Sequence, residues 1–254
     1  MIDLIVFSVG NNKYALNIEN IQRIIQASEL TDIPNSHNLI DGMMSYEESV
    51  IKVLNFRALI NLDRYADELK VLFSKLKSAH TVWVDALRHS ISTGSNFTKT
   101  TNPHMCELGK WIDTFTSHDE KVAAVFKELV LYHRQLHIRG GDALDVYKRD
   151  KKEAQKIVDI EITDIYEHTM GALDNFVKEL DMVANSFQKL IMYEHDSTVF
   201  AIKVDKIEDI AHIQESDIMG KEDKQEDNEF LKLEGVLDMD GILINVIKKI
   251  DIPN

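Results

Sequence analysis

A single cysteine among 254 residues rules out an internal disulfide, so nothing in the chain requires an oxidising compartment. Basic side chains are also scarce. The 29 Lys and Arg stand against 43 Asp and Glu, a formal net charge of −14, which disfavours phosphate backbones and anionic membrane surfaces as partners. No apolar run reaches the roughly 20 residues of a membrane-spanning helix. The N-terminal Met1-Ile2-Asp3-Leu4-Ile5-Val6-Phe7 lacks the basic stretch and cleavage signal of a secretory leader. These absences predict a cytoplasmic protein that neither binds nucleic acid nor inserts into a membrane. What is present suffices for real cores. Hydrophobic residues make up 44% of the chain, which is long enough for one large or two ordinary domains.

The texture changes twice. From Leu4 to Val53 the pattern is short and strand-like: Leu4 to Val9, a turn at Gly10-Asn11-Asn12, Tyr14 to Ile18, and later the run Val50 to Leu54. From Asp63 to Gln188 Pro103 is the sole proline and the apolar period becomes helical, ending in a long stretch through Ala154, Val158, Ile165, Ala172, Phe176, Leu180, Val183 and Phe187. Strands return at Leu190 to Tyr193, Val199 to Ile202, Ile207 to Ile213, Leu231 to Leu237 and Ile242 to Ile247. Either strand-like segment alone would be small and left with open edges, so the two are expected to complete each other. An even number of antiparallel helices returns the chain to its starting point, which lets a bundle sit in a surface loop of a β domain. The charged run Lys221 to Glu229 reads as a solvated loop.

Histidines interrupt two helical stripes. Leu69, Leu72, Phe73, Leu76, Trp83, Val84 and Leu87 recur at helical spacing, and His80 falls on the same face, one turn from both Leu76 and Val84. Val122, Val125, Phe126, Leu129 and Leu136 form the second stripe, with His133 and His137 one turn apart on or beside it. The lone thiol, Cys106, lies between the stripes in Asn102-Pro103-His104-Met105-Cys106-Glu107-Leu108-Gly109-Lys110-Trp111. Each alone reads as a buried core residue. Together, one thiol and three imidazoles make a zinc donor set with bonds of roughly 2.0 to 2.3 Å, and four protein ligands would close the ion to water. His104 could substitute for one of the four and His168 could enter the same core, while His37, His89, His118, His195 and His212 read as ordinary residues.

His80 followed by Trp83, then Cys106-Glu107-Leu108-Gly109-Lys110-Trp111, then His133 and His137 resemble the chemoreceptor zinc-binding (CZB) domain of bacterial signalling proteins, over roughly Asp63 to Gln188. The Cys-x-Leu-Gly-x-Trp run is its most specific element. The resemblance implies that His80, Cys106, His133 and His137 hold Zn2+, and that the helices form an antiparallel sensory or regulatory bundle.

The flanking segments resemble the CheW-type coupling domain of bacterial chemotaxis. The residues that carry this are Tyr14 to Ile21, Thr31-Asp32-Ile33-Pro34, Leu39-Ile40-Asp41-Gly42, Val50 to Arg57 and Phe200 to Ile207. That family folds as two five-stranded barrels. Aligned from Gly42, Glu47-Glu48 stands where the family has Arg-Gly, which reverses the charge that supports receptor binding there. The expected architecture is thus multidomain α and β: a split CheW-like double β-barrel (1–62 and 189–254) with a CZB-like antiparallel α-helical bundle (63–188) inserted. The resemblance implies a non-enzymatic chemotaxis and signal-transduction adaptor that docks to a chemoreceptor, a chemotaxis histidine kinase or another coupling protein. Zinc sensing or thiol redox sensing would make docking responsive. Homodimerisation stays open. A constitutive scaffold with purely structural zinc is the near alternative. A zinc hydrolase is disfavoured because a fourth protein ligand fills the open position and no His-Glu-x-x-His helix occurs.

Overall fold

The computed structural model describes residues 1–117, 119–220 and 229–253. His118 and most of the charged run, Lys221 to Asn228, lie outside the described residues. The chain divides into two compact units, one made of Met1–Tyr65 with Ala184–Asn254 and the other of Ala66–Val183.

Among the described residues the first unit holds ten strands: β1 (Ile2–Val9), β2 (Asn12–Asn17), β3 (Ile21–Gln26), β4 (Ile40–Tyr46), β5 (Ser49–Asn55), β6 (Lys189–His195), β7 (Thr198–Val204), β8 (Lys206–Ile213), β9 (Leu231–Met239) and β10 (Ile242–Ile250). They build two five-stranded sheets, ordered β8-β1-β2-β10-β9 and β3-β6-β7-β5-β4. Each sheet draws on both ends of the sequence, so neither segment has a complete sheet alone and the split fold read from the sequence is borne out. The parallel pairs β2–β10 and β5–β7 join early strands to late ones. Hairpin turns carry the positive φ that two-residue connections demand: Asp196 and Ser197 at 49° and 63°, Asp240 and Gly241 at 54° and 81°. Side chains from both sheets share one core, in which the rings of Phe7, Tyr14 and Phe56 meet at 4.8 to 5.8 Å between centroids, with Leu54, Tyr193, Phe200 and Ile202 around them. A short helix, α1 (Phe56–Leu59), is capped by the Asn55 side chain and leads out of β5.

The second unit is helical: α2 (Tyr65–Thr93), α3 (Glu107–Thr114), α4 (Glu120–Tyr147), α5 (Lys151–Lys156) and α6 (Thr163–Lys178), followed by α7 (Leu180–Phe187), which runs back into the first unit. Contacts fix the directions. Along α2, Phe73 meets Phe176, Lys77 pairs Asp174, Thr81 meets Tyr166 and Arg88 meets Thr163, so α6 runs antiparallel to α2. His80 faces His133 and His137, and further along Trp83 and Leu87 face Gly140, so α2 and α4 run the same way. The described residues between them, with α3 among them, form the returning arm, Cys106 lying beside His80 and Trp111 beside Phe73. Four arms of alternating direction result, one of them largely irregular. Between α5 and α6 the helix widens into a π-turn, Ile157–Ile162, which turns Ile157, Val158 and Ile162 all toward the core beside Trp83, Leu87 and Leu136. Leu72, counted with the first stripe, is exposed. No helix among the described residues is long and apolar enough to cross a membrane.

Candidate metal centre

His80 sits in the middle of α2, 3% exposed. Its Nδ1 lies 2.8 Å from the Leu76 carbonyl one turn back, the geometry of an N–H donor, which leaves Nε2 as the bare lone pair. Its i−4 partner is a backbone group of the same helix, so the ring orientation follows from the helix itself. His133 and His137 come from consecutive turns of α4, with ring centroids 4.8 Å apart and 5.1 and 5.6 Å from that of His80.

Cys106 is the N-cap of α3. The Gly109 N–H donates to its Sγ at 3.2 Å, so the sulfur occupies the place of a capping oxygen and feels the positive end of the helix. The chain can bring the sulfur there only because residue 109 lacks a side chain, since a Cβ would stand 1.7 Å from the Pro103 carbonyl oxygen. Sγ lies 3.1 Å from His133 Nε2 and 3.8 Å from His80 Nε2. One donor atom from each of His80, Cys106, His133 and His137 falls within 4.8 Å of all the others.

Both ring nitrogens of His137 are buried with no hydrogen-bond partner. Its ring packs against Trp83 at 4.8 Å, and Trp83 Nε1–H donates to the Thr100 carbonyl at 2.8 Å. That carbonyl lies near enough to favour the protonated imidazole slightly, but neither nitrogen meets it in hydrogen-bond geometry. Gly140 makes room for Trp83, whose Cη2 would be 2.3 Å from a Cβ.

The electrostatics favour neutral donors. Burial, then the neighbouring His137 and His80, push His133 down to about 3. Burial and then His80 push His137 down to about 4, and burial lowers His80 against its bond to Leu76. Burial raises the Cys106 thiol, opposed by the Gly109 and Leu108 N–H groups. Three neutral imidazoles around one thiol leave a cation only the thiol proton to displace. Those donors fit zinc: nitrogen and sulfur, four in number, with no carboxylate in the group that would suit calcium or magnesium. Glu107, next to the cysteine, is exposed and paired with Lys110 at 2.6 Å.

The two alternates stay outside the group. His104 is exposed and bonds Asp113 at 2.9 Å, while His168 stacks on Tyr132 and bonds the Asp164 carbonyl. Gly109, Trp83 and Gly140 support the site in ways the spacing did not assign. The N-cap spacing from Cys106 to Gly109 was the signal for the first, and the step from His80 to Trp83 for the second.

The CheW-like domain family matches residues 3–87 and the chemoreceptor zinc-binding domain family matches residues 80–144. Their overlap, residues 80–87, lies in α2. A chemotaxis protein CheW of Thermotoga maritima is 21% identical over 68 residues, 27% of this chain and 45% of that protein, so the match spans under half of the relative's length. The crystal structure of the scaffolding protein TtCheW from Thermoanaerobacter tengcongensis aligns with a TM-score of 0.46 and 11% identity, covering 97% of this chain and 88% of that one. This chain therefore carries two recognised modules in one polypeptide, a CheW-like domain and a chemoreceptor zinc-binding domain.

Proposed function

We propose that the protein is a non-catalytic, cytoplasmic chemotaxis signalling adaptor in which His80, Cys106, His133 and His137 hold one zinc ion and so set the order of the helical unit. The observation that carries this is His137, buried with two unpartnered nitrogens among three other soft donors, since a buried imidazole without a partner is costly unless something takes its lone pair. Zinc bound there would cross-link the elements that carry His80, Cys106, His133 and His137 and would favour the Cys106 thiolate. The chain does the rest: Leu76 fixes the His80 tautomer, and the α3 N-terminus supports the sulfur's charge.

The two CheW-like sheets would dock a chemoreceptor, a chemotaxis histidine kinase or a second coupling protein. Glu47, at φ +53° in the β4–β5 turn, and Glu48 would meet that partner with negative charge, which favours a basic contact over an acidic one. Hydrolysis is disfavoured because four protein donors leave no open position and no carboxylate joins the group. A sensing role is supported by Cys106 being half-buried rather than sealed in the core as the three histidines are; its oxidation to the sulfenic acid by a small oxidant such as hypochlorous acid would remove one of four donors. A purely structural zinc is supported by the burial of the three histidines. Affinity separates these. In a competition with chelators of graded strength, a sensor releases zinc in the range of available cellular metal, whereas a structural site holds it against all but the strongest.

A further inference from the structure

The point where the chain leaves the β unit and the point where it returns converge on one buried ion pair. Arg57, 1% exposed, places Nη1 2.5 Å from Asp205 Oδ2. Its Nε–H donates to the Asp63 carbonyl at 2.6 Å, and its guanidinium carbon lies 5.2 Å from the centroid of the Tyr65 ring. On the other side, Asp205 Oδ1 accepts from Gln188 Nε2–H at 3.1 Å and Oδ2 from the Gly10 N–H at 2.8 Å. Gln188 is 4% exposed, and its carbonyl accepts from the Ala27 N–H. The Tyr65 and Phe187 rings stand 5.8 Å apart. Tyr65 is the first residue of α2, Phe187 the last of α7, and Gln188 is followed at once by β6.

An apolar plug would have sealed these crossings with less directional demand. A buried guanidinium and carboxylate instead require their partners at fixed angles, so moving Asp63, Tyr65 or Gln188 strips hydrogen bonds from charged groups that water reaches poorly. We propose that the Arg57–Asp205 pair is the coupling element of the molecule: it clamps both crossings, so that loosening of the helical unit is felt in β6 and β7. The inference does not depend on the metal.

Replacing Arg57 itself would strand Asp205 and endanger folding, so the test cuts the clamp's outer links and leaves the ion pair in place. Amide hydrogen exchange, read by mass spectrometry on the full chain at constant metal content, would compare the natural sequence, Leu136→Ala in the helical core, Tyr65→Leu with Gln188→Leu, and the triple variant. Exchange of β1 and β2 checks that the β unit stays folded, and Gln188→Leu alone serves if the pair of changes unfolds it. The expected result is that Leu136→Ala speeds exchange of residues 189–204 about tenfold in the natural background and less than about twofold when the links are cut, with the helical residues affected alike in both. An equal rise of β6 and β7 exchange in the two backgrounds, or no rise in the natural one, would overturn the proposal.

Discussion

At the scale of single residues, the donor set works through what each atom lacks. His133 and His137 have folded-state pKa values of about 3 and about 4 against an unfolded 6.5, so as pH falls below 6.5 the unfolded chain takes up protons first and the metal-free folded state loses stability until pH nears those lower values. In urea titrations of chelator-stripped protein between pH 6 and 4, each buried histidine should contribute a slope of up to about 1.4 kcal/mol per pH unit, and His133→Leu should remove one such contribution. An unchanged slope in that variant would mean that His133 titrates freely. Gly109 tests the sulfur's position. A methyl there collides with the Pro103 carbonyl, so Gly109→Ala should shift the 103–109 loop, cost about 1–3 kcal/mol and weaken zinc binding at least tenfold, although it removes no donor. Retention of full zinc affinity in Gly109→Ala would show that the N-cap geometry is dispensable.

At the scale of elements, α2, α3 and α4 each deliver donors from a position set by their own packing. Phe73, Trp111, Phe115, Phe126 and Phe176 form a ring cluster that pins α3 between α2, α4 and α6, with centroid distances of 4.7 to 6.3 Å. Phe73→Ala should therefore cost about 3–5 kcal/mol of helical-unit stability in chemical denaturation followed by Trp83 and Trp111 fluorescence, and a loss below about 1 kcal/mol would contradict the cluster's role. Much of this level was legible in the sequence. The 3.6-residue period placed α2 and α4, and the histidines on their inner faces followed from spacing alone. Strands β3 and β4 were not legible. The first alternates poorly because it is a half-exposed edge strand, and the second carries Gly42 and two methionines in place of β-branched residues. The π-turn was hidden too, because a widened turn shifts the apolar phase without any sequence break of the glycine or proline kind. The parallel course of α2 and α4 could not be read, since periodicity fixes faces and not directions.

At the scale of the whole molecule, a polypeptide whose first and last segments share two sheets has a helical unit spliced into one of its loops. Joining Leu62 to Lys189 by a short flexible linker should leave a folded β unit with a cooperative thermal transition in circular dichroism. Unfolded products at several linker lengths would mean that the strands depend on the helices. The account stands most directly on metal content. The purified 254-residue chain should hold close to one zinc by inductively coupled plasma mass spectrometry, and Cys106→Ala, His80→Ala, His133→Ala and His137→Ala should each lose it in a chelator competition that His89→Ala survives. Zinc retained equally across all of these variants, or none in the natural protein grown with zinc present, would contradict it.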